Sequence, residues 1–216
     1  MPNERFSRQA DVVPADRLAV CCVTVVGVGA VGRQCAMQLA SMGVRHLQLV
    51  DFDRVEEHNV VTQGYREADI GLAKVNATAE ACRAIDASIE IEAIDSRFRR
   101  NMDVGDVLFA AVDSIEVRRL LWEAVRDRVA FYADARATAE TIRVLTACDR
   151  ESRAHYPTTL FARAEAHAGS CTSKMTIFTA AIAAGLLASQ FSRWLRGLPT
   201  DRDVTLNLLA SELAVL

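Results

Sequence analysis

A glycine-rich turn between two apolar segments constrains the fold of this chain more than any other feature. Residues 23–26 form a β-branched run, and residues 27–32 follow as a complete G-x-G-x-x-G. Apolar residues then recur at helical spacing until Gly43, a residue type that often ends a helix. A second apolar run, residues 47–50, leads into Asp51. Strand, glycine turn, helix, strand and acid in this order predict a βαβ nucleotide-binding unit.

The three glycines of the turn have separate expected roles. Gly27 permits the tight turn, Gly29 lets a phosphate approach the backbone, and Gly32 lets the helix pack close to the strand. The helix N-terminus presents free N–H groups to an anion, and Asp51 can accept a hydrogen bond from a ribose hydroxyl. Such a turn binds NAD in many oxidoreductases, so an NAD-dependent oxidoreductase is one open interpretation.

Length and composition favour one compact domain over residues 1–216, with 51% apolar and 25% charged residues. The net charge of −3 gives no general attraction to nucleic acid, and the N-terminus lacks the apolar core of a signal peptide. The 6 cysteines form no C-x-x-C pair, which favours reduced thiols in the cytoplasm. We expect most of them to be buried: Cys21, Cys22 and Cys148 on strands, Cys35 and Cys82 on helices.

Further periodic segments predict an α/β protein with a Rossmann-like three-layer fold and a mostly parallel, mixed central sheet. The expected strands after the first two lie at residues 89–94, 107–112, 130–133, 141–148 and 204–209. We expect Asp69 to cap a helix that runs to Ala84, and the segment after residue 148 to be a polar crossover loop over residues 149–174.

Residues 175–192 are 18 residues without a charge, which is long enough for a membrane span. Their many alanines and the polar residues among them favour instead a helix buried in the core or in a subunit interface. We therefore expect no membrane association.

Two carboxylates, Asp113 and Asp134, follow predicted parallel strands, at the edge where open α/β sheets bind ligands. The alternative for either carboxylate is a helix N-cap. A basic loop with Arg97, Arg99 and Arg100 is expected to leave the same edge.

Several motifs together resemble the ThiF/MoeB family, the single-domain relatives of ubiquitin-activating enzymes. They are the N-terminal FSRQ of residues 6–9 in an arm over residues 1–20, the glycine turn, D-x-D-x-V-x-x-x-N at 51–59 and D-I-G-x-x-K at 69–74. Asp113 followed by Arg118 matches the family's metal aspartate and downstream arginine.

The resemblance implies an ATP-dependent enzyme that adenylates the C-terminal carboxylate of a small ubiquitin-fold or sulfur-carrier protein ending in glycine. It implies ATP and Mg²⁺ as cofactors, with the metal held by Asp113, and a homodimer in which Arg8 reaches the phosphates of the other protomer. Lys74 is the catalytic lysine, Asp51 holds the ribose, and Asn59 and Gln63 hold the phosphates. The residues that the resemblance assigns to nucleotide binding are Gly27, Gly29, Ala30, Gly32, Asp51, Asp53, Asn59, Gln63 and Lys74.

Cys171 is the candidate acceptor of the activated acyl group as a thioester. It lies in the polar crossover segment just before a long helix, where the helix N-terminus and Lys174 favour the reactive thiolate. Cys171 and Thr172 resemble the Cys-Thr pair of ubiquitin-activating enzymes.

The chain departs from the family pattern at Thr62, where an arginine usually precedes Gln63. Arg66, or the loop with Arg97 and Arg99, could supply the missing charge. The departure leaves open a non-catalytic or heteromeric nucleotide-binding subunit. The zinc-binding C-x-x-C pairs of many relatives are absent.

Overall fold

The computed structural model describes residues 4–161 and 175–216, and in these residues eight strands form one sheet. The strand order is β3-β2-β1-β4-β5-β6-β7-β8. The strands, in chain order, are β1 Cys22–Val26, β2 His46–Asp51, β3 Glu90–Asp95, β4 Val107–Ala110, β5 Phe131–Thr138, β6 Thr141–Ala147, β7 Asp203–Asn207 and β8 Glu212–Val215.

Helices connect the strands on both faces of the sheet. They are α1 Ala15–Ala19, α2 Ala30–Met42, α3 Glu57–Gln63, α4 Lys74–Ile85, α5 Ile115–Val125, α6 Arg150–His155 and α7 Ile177–Leu195. Short 3-10 turns lie at Glu4–Gln9, Glu67–Asp69 and Tyr156–Thr159.

The sheet is parallel from β3 to β5 and antiparallel from β5 to β8. The change of direction occurs at the short β5–β6 turn, which is too tight for a parallel crossover. The Rossmann-like three-layer fold with a mostly parallel, mixed sheet is therefore confirmed. The carboxyl ends of the five parallel strands meet at one edge, which also holds the glycine turn.

Each face of the sheet carries its own apolar core. On one face α2 packs against α7 and α4, burying Cys35, Leu39 and Leu187. On the other face α5 packs with the turn Tyr156–Thr159, and the core there holds Trp122. The two cores fix the helices on either side of the carboxyl edge.

Helix α7 corresponds to the uncharged segment predicted to be a buried helix, and its inner side is part of the core. Ala183, Ala184 and Leu187 are fully buried, whereas Phe178 and Ile182 on the outer side are exposed. No helix among the described residues combines the length and apolarity that crossing a bilayer requires.

Several local predictions are wrong. Helix α4 begins at Lys74 with Ala73 as its N-cap, and Asp69 lies instead in a 3-10 turn where Arg66 binds its carboxylate. Strand β5 does not end before Asp134 but runs through it to Thr138, because Asp134 is neutralised by Arg118 and Arg136. Asp134 is therefore not a helix N-cap.

The segment after β6 is not a continuous loop. Asp149 caps α6 by accepting a hydrogen bond from the Ser152 N–H at 2.8 Å, and the 3-10 turn Tyr156–Thr159 follows. Helix α3 and strand β8 had no predicted counterpart.

The cysteine predictions hold in part. Cys35 and Cys82 are buried on helices as predicted, and Cys21 is buried just before β1. Cys22 is exposed and Cys148 is only partly buried, because both lie at ends of strands rather than in their interiors.

Candidate active site

The glycine turn joins β1 to α2 in a conformation that needs glycine at two positions. Gly27 has a φ of +85°, and a Cβ there would lie 2.7 Å from the Ala111 carbonyl oxygen. A Cβ on Gly32 would lie 1.8 Å from the Gly27 carbonyl oxygen, so α2 could not approach the turn. Both roles predicted for these glycines are confirmed.

Gly29 faces open space. The atom nearest to an added Cβ is the Gln63 Oε1 atom at 3.9 Å, and Gly29 is the N-cap of α2 without a side-chain cap. The first N–H groups of α2, from Ala30 onward, are therefore free to bind an anion. The backbone at Gly29 is therefore open to the approach of a phosphate group.

Asp51, at the end of β2, braces the glycine turn. One carboxylate oxygen accepts a hydrogen bond from the Val28 N–H at 2.7 Å, and the other accepts one from the Asp53 N–H at 2.9 Å. Each carboxylate oxygen can accept a second hydrogen bond. The carboxylate thus holds the turn in shape and keeps capacity for a hydroxyl donor.

Lys74, the first residue of α4, lies beside the segment that carries Asp51. Its side chain is 8% exposed, and its Nζ atom lies 3.2 Å from the Asp53 Oδ2 atom. Its backbone N–H donates to the Asp53 carbonyl oxygen at 2.9 Å. A nearly buried ammonium with a single exposed carboxylate partner has donors left for phosphate oxygens.

Helix α3 brings Asn59 and Gln63 to the site. Asn59 is buried, and its side-chain oxygen accepts the Glu56 N–H at 2.9 Å, which caps α3 from within. The Gln63 Oε1 atom is buried, and within the described residues it has no hydrogen-bond partner. A buried oxygen without a donor beside Gly29 indicates a place where a ligand or water completes the site.

Asp113 lies three residues beyond β4, in the segment that contacts Gly27 through Ala111, and its side chain is exposed. In the part of the chain that the structure describes, no three His, Cys, Asp or Glu side chains are grouped to hold a metal by themselves. Mg²⁺ typically binds one or two carboxylates together with phosphate oxygens. Asp113 fits that donor set.

Arg118 does not face this site. It is buried, forms an ion pair with Asp134, and donates hydrogen bonds to the carbonyl oxygens of Val112 and Ala135. Burial lowers its pKa to about 10. Its contact with Val112 holds the backbone just before Asp113, so Arg118 supports the site through the backbone.

A buried polar network around Asp134 was missed at the level of the sequence. Its Oδ2 atom accepts hydrogen bonds from Arg136 Nε at 3.0 Å and from Tyr156 Oη at 2.9 Å. Arg136 also donates to the Thr159 carbonyl oxygen at 2.8 Å. Asp134 and Arg136 are two residues apart, so a strand places both on the same face. This spacing of opposite charges was the signal that could have revealed the network.

The N-terminal arm lies far from the glycine turn of its own chain. The Phe6 ring packs against Gly43, and Gln9 Nε2 donates to the Met42 carbonyl oxygen at 2.8 Å. Both contacts are at the C-terminal end of α2, whose 13 residues span about 20 Å. Arg8 is exposed, and no hydrogen bond or ion pair links it to another described residue.

The two candidate substitutes for an arginine at position 62 differ in their contacts. Arg66 is bound to Asp69 at 2.7 Å and to Glu80 at 3.1 Å. The Arg97 guanidinium stacks on the Phe52 ring, 3.7 Å from its centroid, at the carboxyl edge. Arg66 is therefore paired with two acidic residues, whereas Arg97 lies beside Phe52, the residue after Asp51.

Cys171 and the rest of residues 162–174 lie outside the described residues. Its role stays a prediction.

The chain resembles proteins named as adenylyltransferases. It is 28% identical over 136 residues to the adenylyltransferase and sulfurtransferase MOCS3 of Dictyostelium discoideum, a match over 57% of this chain and 32% of that protein. It is 44% identical over 75 residues to MOCS3 of Bos taurus, which covers 34% of this chain and 16% of that protein. The chain thus spans about a third or less of the length of these curated relatives.

Solved structures share the fold. A crystal structure of PaaA matches 99% of this chain and 72% of its own, with a TM-score of 0.79 and 19% identity. The crystal structure of E. coli MccB with ATP matches 100% of this chain and 72% of its own, with a TM-score of 0.78 and 16% identity.

The family assignment rests on a match that is longer than either sequence alignment with MOCS3. The model of the ThiF family matches residues 6–213, which include the arm, the glycine turn, Lys74 and Asp113. The chain belongs to the ThiF family.

Proposed function

We propose that this protein uses ATP to adenylate the C-terminal carboxylate of a small ubiquitin-fold or sulfur-carrier protein that ends in glycine. The observation that carries the proposal is the open space over Gly29 at the start of α2, faced by the unpartnered Gln63 oxygen. The relatives named adenylyltransferases and the MccB structure with ATP support a triphosphate ligand. NAD has two phosphates instead of three, and its binding would not explain the presence of Lys74 and Asp113.

The residues suit the chemistry of adenylation. A carboxylate oxygen of the carrier attacks the α-phosphorus of ATP, the bond to the bridging oxygen breaks, and pyrophosphate leaves. A C-terminal carboxyl group has a pKa of about 3.5, so it is ionised at neutral pH and needs no general base. The site must instead stabilise charge on the phosphates, which Lys74 and the N-terminus of α2 do.

The nucleotide would lie across the carboxyl edge from β2 to β4. Asp51 would accept a ribose hydroxyl, and the Asn59 amide and Gln63 would contact the phosphates. Asp113 would hold Mg²⁺, which supplies charge neutralisation at the phosphate oxygens when bound. The exposed position of Asp113 beside the turn supports this role.

We propose a two-fold dimer in which Arg8 completes the site of the partner. About 20 Å separate the anchored arm from the glycine turn of the same chain, which is more than an arginine side chain reaches. The exposed apolar side chains of Val61 on α3 and of Phe178 and Ile182 on α7 support an interface.

A second step on Cys171 would convert the adenylate into a thioester. The thiolate attacks the acyl carbon, the bond between that carbon and the phosphate oxygen breaks, and AMP leaves. This step follows adenylation and uses none of its catalytic groups.

A second candidate function is a nucleotide-binding subunit without activity, and one observation favours it. The Thr62 hydroxyl, at the position where the family has an arginine, donates to the His58 carbonyl oxygen at 2.6 Å and is not available to a phosphate.

Exchange of labelled pyrophosphate into ATP separates the candidates. The full chain is incubated with ATP, Mg²⁺ and a small ubiquitin-fold protein that ends in Gly-Gly, and a carrier lacking its last two residues is the control. Adenylation predicts exchange with the intact carrier alone. ATP binding by calorimetry without exchange, tested over a set of such carriers, would favour the subunit without activity, and binding of NAD alone would refute both.

A further inference from the structure

Arg33 is a buried arginine one turn into α2, directly after the glycine turn. It is 3% exposed, its backbone N–H donates to the Gly29 carbonyl oxygen at 3.0 Å, and its Nε atom donates to the Gly64 carbonyl oxygen at 3.0 Å. In the part of the chain that the structure describes, its buried Nη1 atom has no hydrogen-bond partner. Buried charges are normally paired, so this guanidinium needs an explanation.

The guanidinium is coupled to the glycine turn through Tyr65. It lies 4.4 Å from the centroid of the Tyr65 ring, and the Tyr65 hydroxyl donates to the Val28 carbonyl oxygen at 2.6 Å. Burial lowers the pKa of Arg33, but an arginine stays charged at neutral pH. The positive charge of Arg33 therefore lies against the Tyr65 ring, and the Tyr65 hydroxyl links that ring to the glycine turn.

Asp69 is the carboxylate whose charge opposes the lowering of the Arg33 pKa by burial, and it is already occupied. Asp69 accepts hydrogen bonds from the Arg66 Nη2 atom at 2.7 Å and from the Arg66 backbone N–H at 2.9 Å. Within the described residues, no carboxylate lies within ion-pair distance of Arg33. The open space over Gly29, one helical turn away, is the place where an anion would balance the charge.

We propose that Arg33 is a positioning residue for the phosphates of the nucleotide. Arg33 holds Gly64 and Tyr65 against the glycine turn, and this contact orients the neighbouring Gln63 towards Gly29. Arg33 also supplies a positive electrostatic potential, which the neutral side chain of Thr62 does not. This inference rests on the proposed function. It predicts that the contribution of Arg33 to affinity grows with the number of phosphates on the ligand.

The test compares ligands by calorimetry on the full chain. ATP, AMP and adenosine are titrated into the wild type and into Arg33→Gln, Arg33→Met, Arg33→Lys and Arg126→Gln. Arg126 is exposed at the far end of α5 and pairs with Asp127, so its variant makes the same charge change away from the site. Neutral variants at Arg33 should bind ATP about tenfold more weakly and adenosine less than about twofold more weakly, with AMP between them. Arg33→Lys should recover most of the ATP affinity, and Arg126→Gln should match the wild type.

Equal losses for ATP and adenosine would show that Arg33 only supports the fold and would overturn the inference. Unchanged ATP affinity in the neutral variants would overturn it too, as would failure of both neutral variants to fold, because Arg33 would then serve folding. A wild type that binds ATP but shows no carrier-dependent exchange would refute the proposed function and leave this comparison of ligands decisive.

Discussion

Some side chains at the carboxyl edge are paired with partners within the protein, and others are not. Arg118 and Asp134 are committed to each other in a buried network. The Gln63 oxygen and the Asp113 carboxylate are not committed to any described donor. Gln63 and Asp113 therefore keep hydrogen-bonding capacity that a ligand can use.

A substitution of Asp113 tests the proposed Mg²⁺ ligand most directly. Asp113→Asn should lower pyrophosphate exchange by at least about 100-fold, because a neutral amide is a poor ligand for Mg²⁺. Thermal melting should be unchanged, since the side chain is exposed. Asp103→Asn, at a fully exposed carboxylate away from the glycine turn, is the matched control. Full activity of Asp113→Asn at limiting Mg²⁺ would contradict the metal assignment.

Cys171 can be tested separately from adenylation. Cys171→Ala should keep pyrophosphate exchange within about twofold of the wild type and lose the thiol-sensitive adduct with the carrier on a non-reducing gel. Cys22→Ala is the control, because Cys22 is exposed and lies at the start of β1, at the end of that strand away from the glycine turn. An adduct that survives in Cys171→Ala would assign the acceptor to another thiol.

At the level of elements, the sequence predicts what is determined locally. The glycine turn is predictable because its motif is contiguous in the sequence and Gly32 packs against Gly27, five residues earlier. Helix α6 was also within reach, since Asp149 and Ser152 form a capping pair in sequence. Strand β5 was not, because charges inside a strand indicate its end unless distant residues neutralise them. Asp134 is neutralised by Arg118, sixteen residues earlier in the chain.

The antiparallel half of the sheet has its own charged junction. Asp203 at the start of β7 accepts hydrogen bonds from Arg143 on β6 at 2.6 Å and from His155 at the end of α6 at 2.9 Å. Burial alone would raise the pKa of Asp203, but these hydrogen bonds outweigh it and lower the pKa below its ordinary value. The junction therefore joins three elements through one carboxylate.

The lowered pKa of Asp203 predicts how stability depends on pH. A carboxylate with a depressed pKa stabilises the fold above its unfolded pKa of about 3.9, and this contribution is lost as the pH falls through the folded value. Urea unfolding should show Asp203→Asn less stable than the wild type at pH 7 and at pH 5, with the difference shrinking below about pH 4. Asp127→Asn, at an exposed carboxylate, should track the wild type. A difference that stays constant down to pH 3 would contradict this account.

At the scale of the whole molecule, the arm and the glycine turn lie at opposite ends of α2. If Arg8 acts on the partner, each site is built from two chains, and damage to one chain can be complemented by another. A mixture of variants distinguishes this arrangement from one in which Arg8 serves its own chain.

Mixing Arg8→Ala with Asp113→Asn should restore activity that neither variant has alone. In a mixed dimer, the Arg8→Ala chain keeps its own Asp113 and receives Arg8 from the partner, so one of the two sites is intact. Random pairing at equal amounts should give about a quarter of the wild-type exchange rate. The Asp103→Asn variant mixed with wild type is the control for activity lost in the mixing and refolding procedure. No recovery after unfolding and refolding the mixture together would place Arg8 outside the site.

If the arm anchored at Gly43 completes the site of a partner, activity falls more steeply than the amount of protein. A site shared between two copies exists only after two copies have met, so at low copy number the amount of working catalyst rises with the square of the amount of protein. Halving synthesis would then remove more than half of the activity. A cell could switch such a pathway off by a modest drop in expression, without any inhibitor.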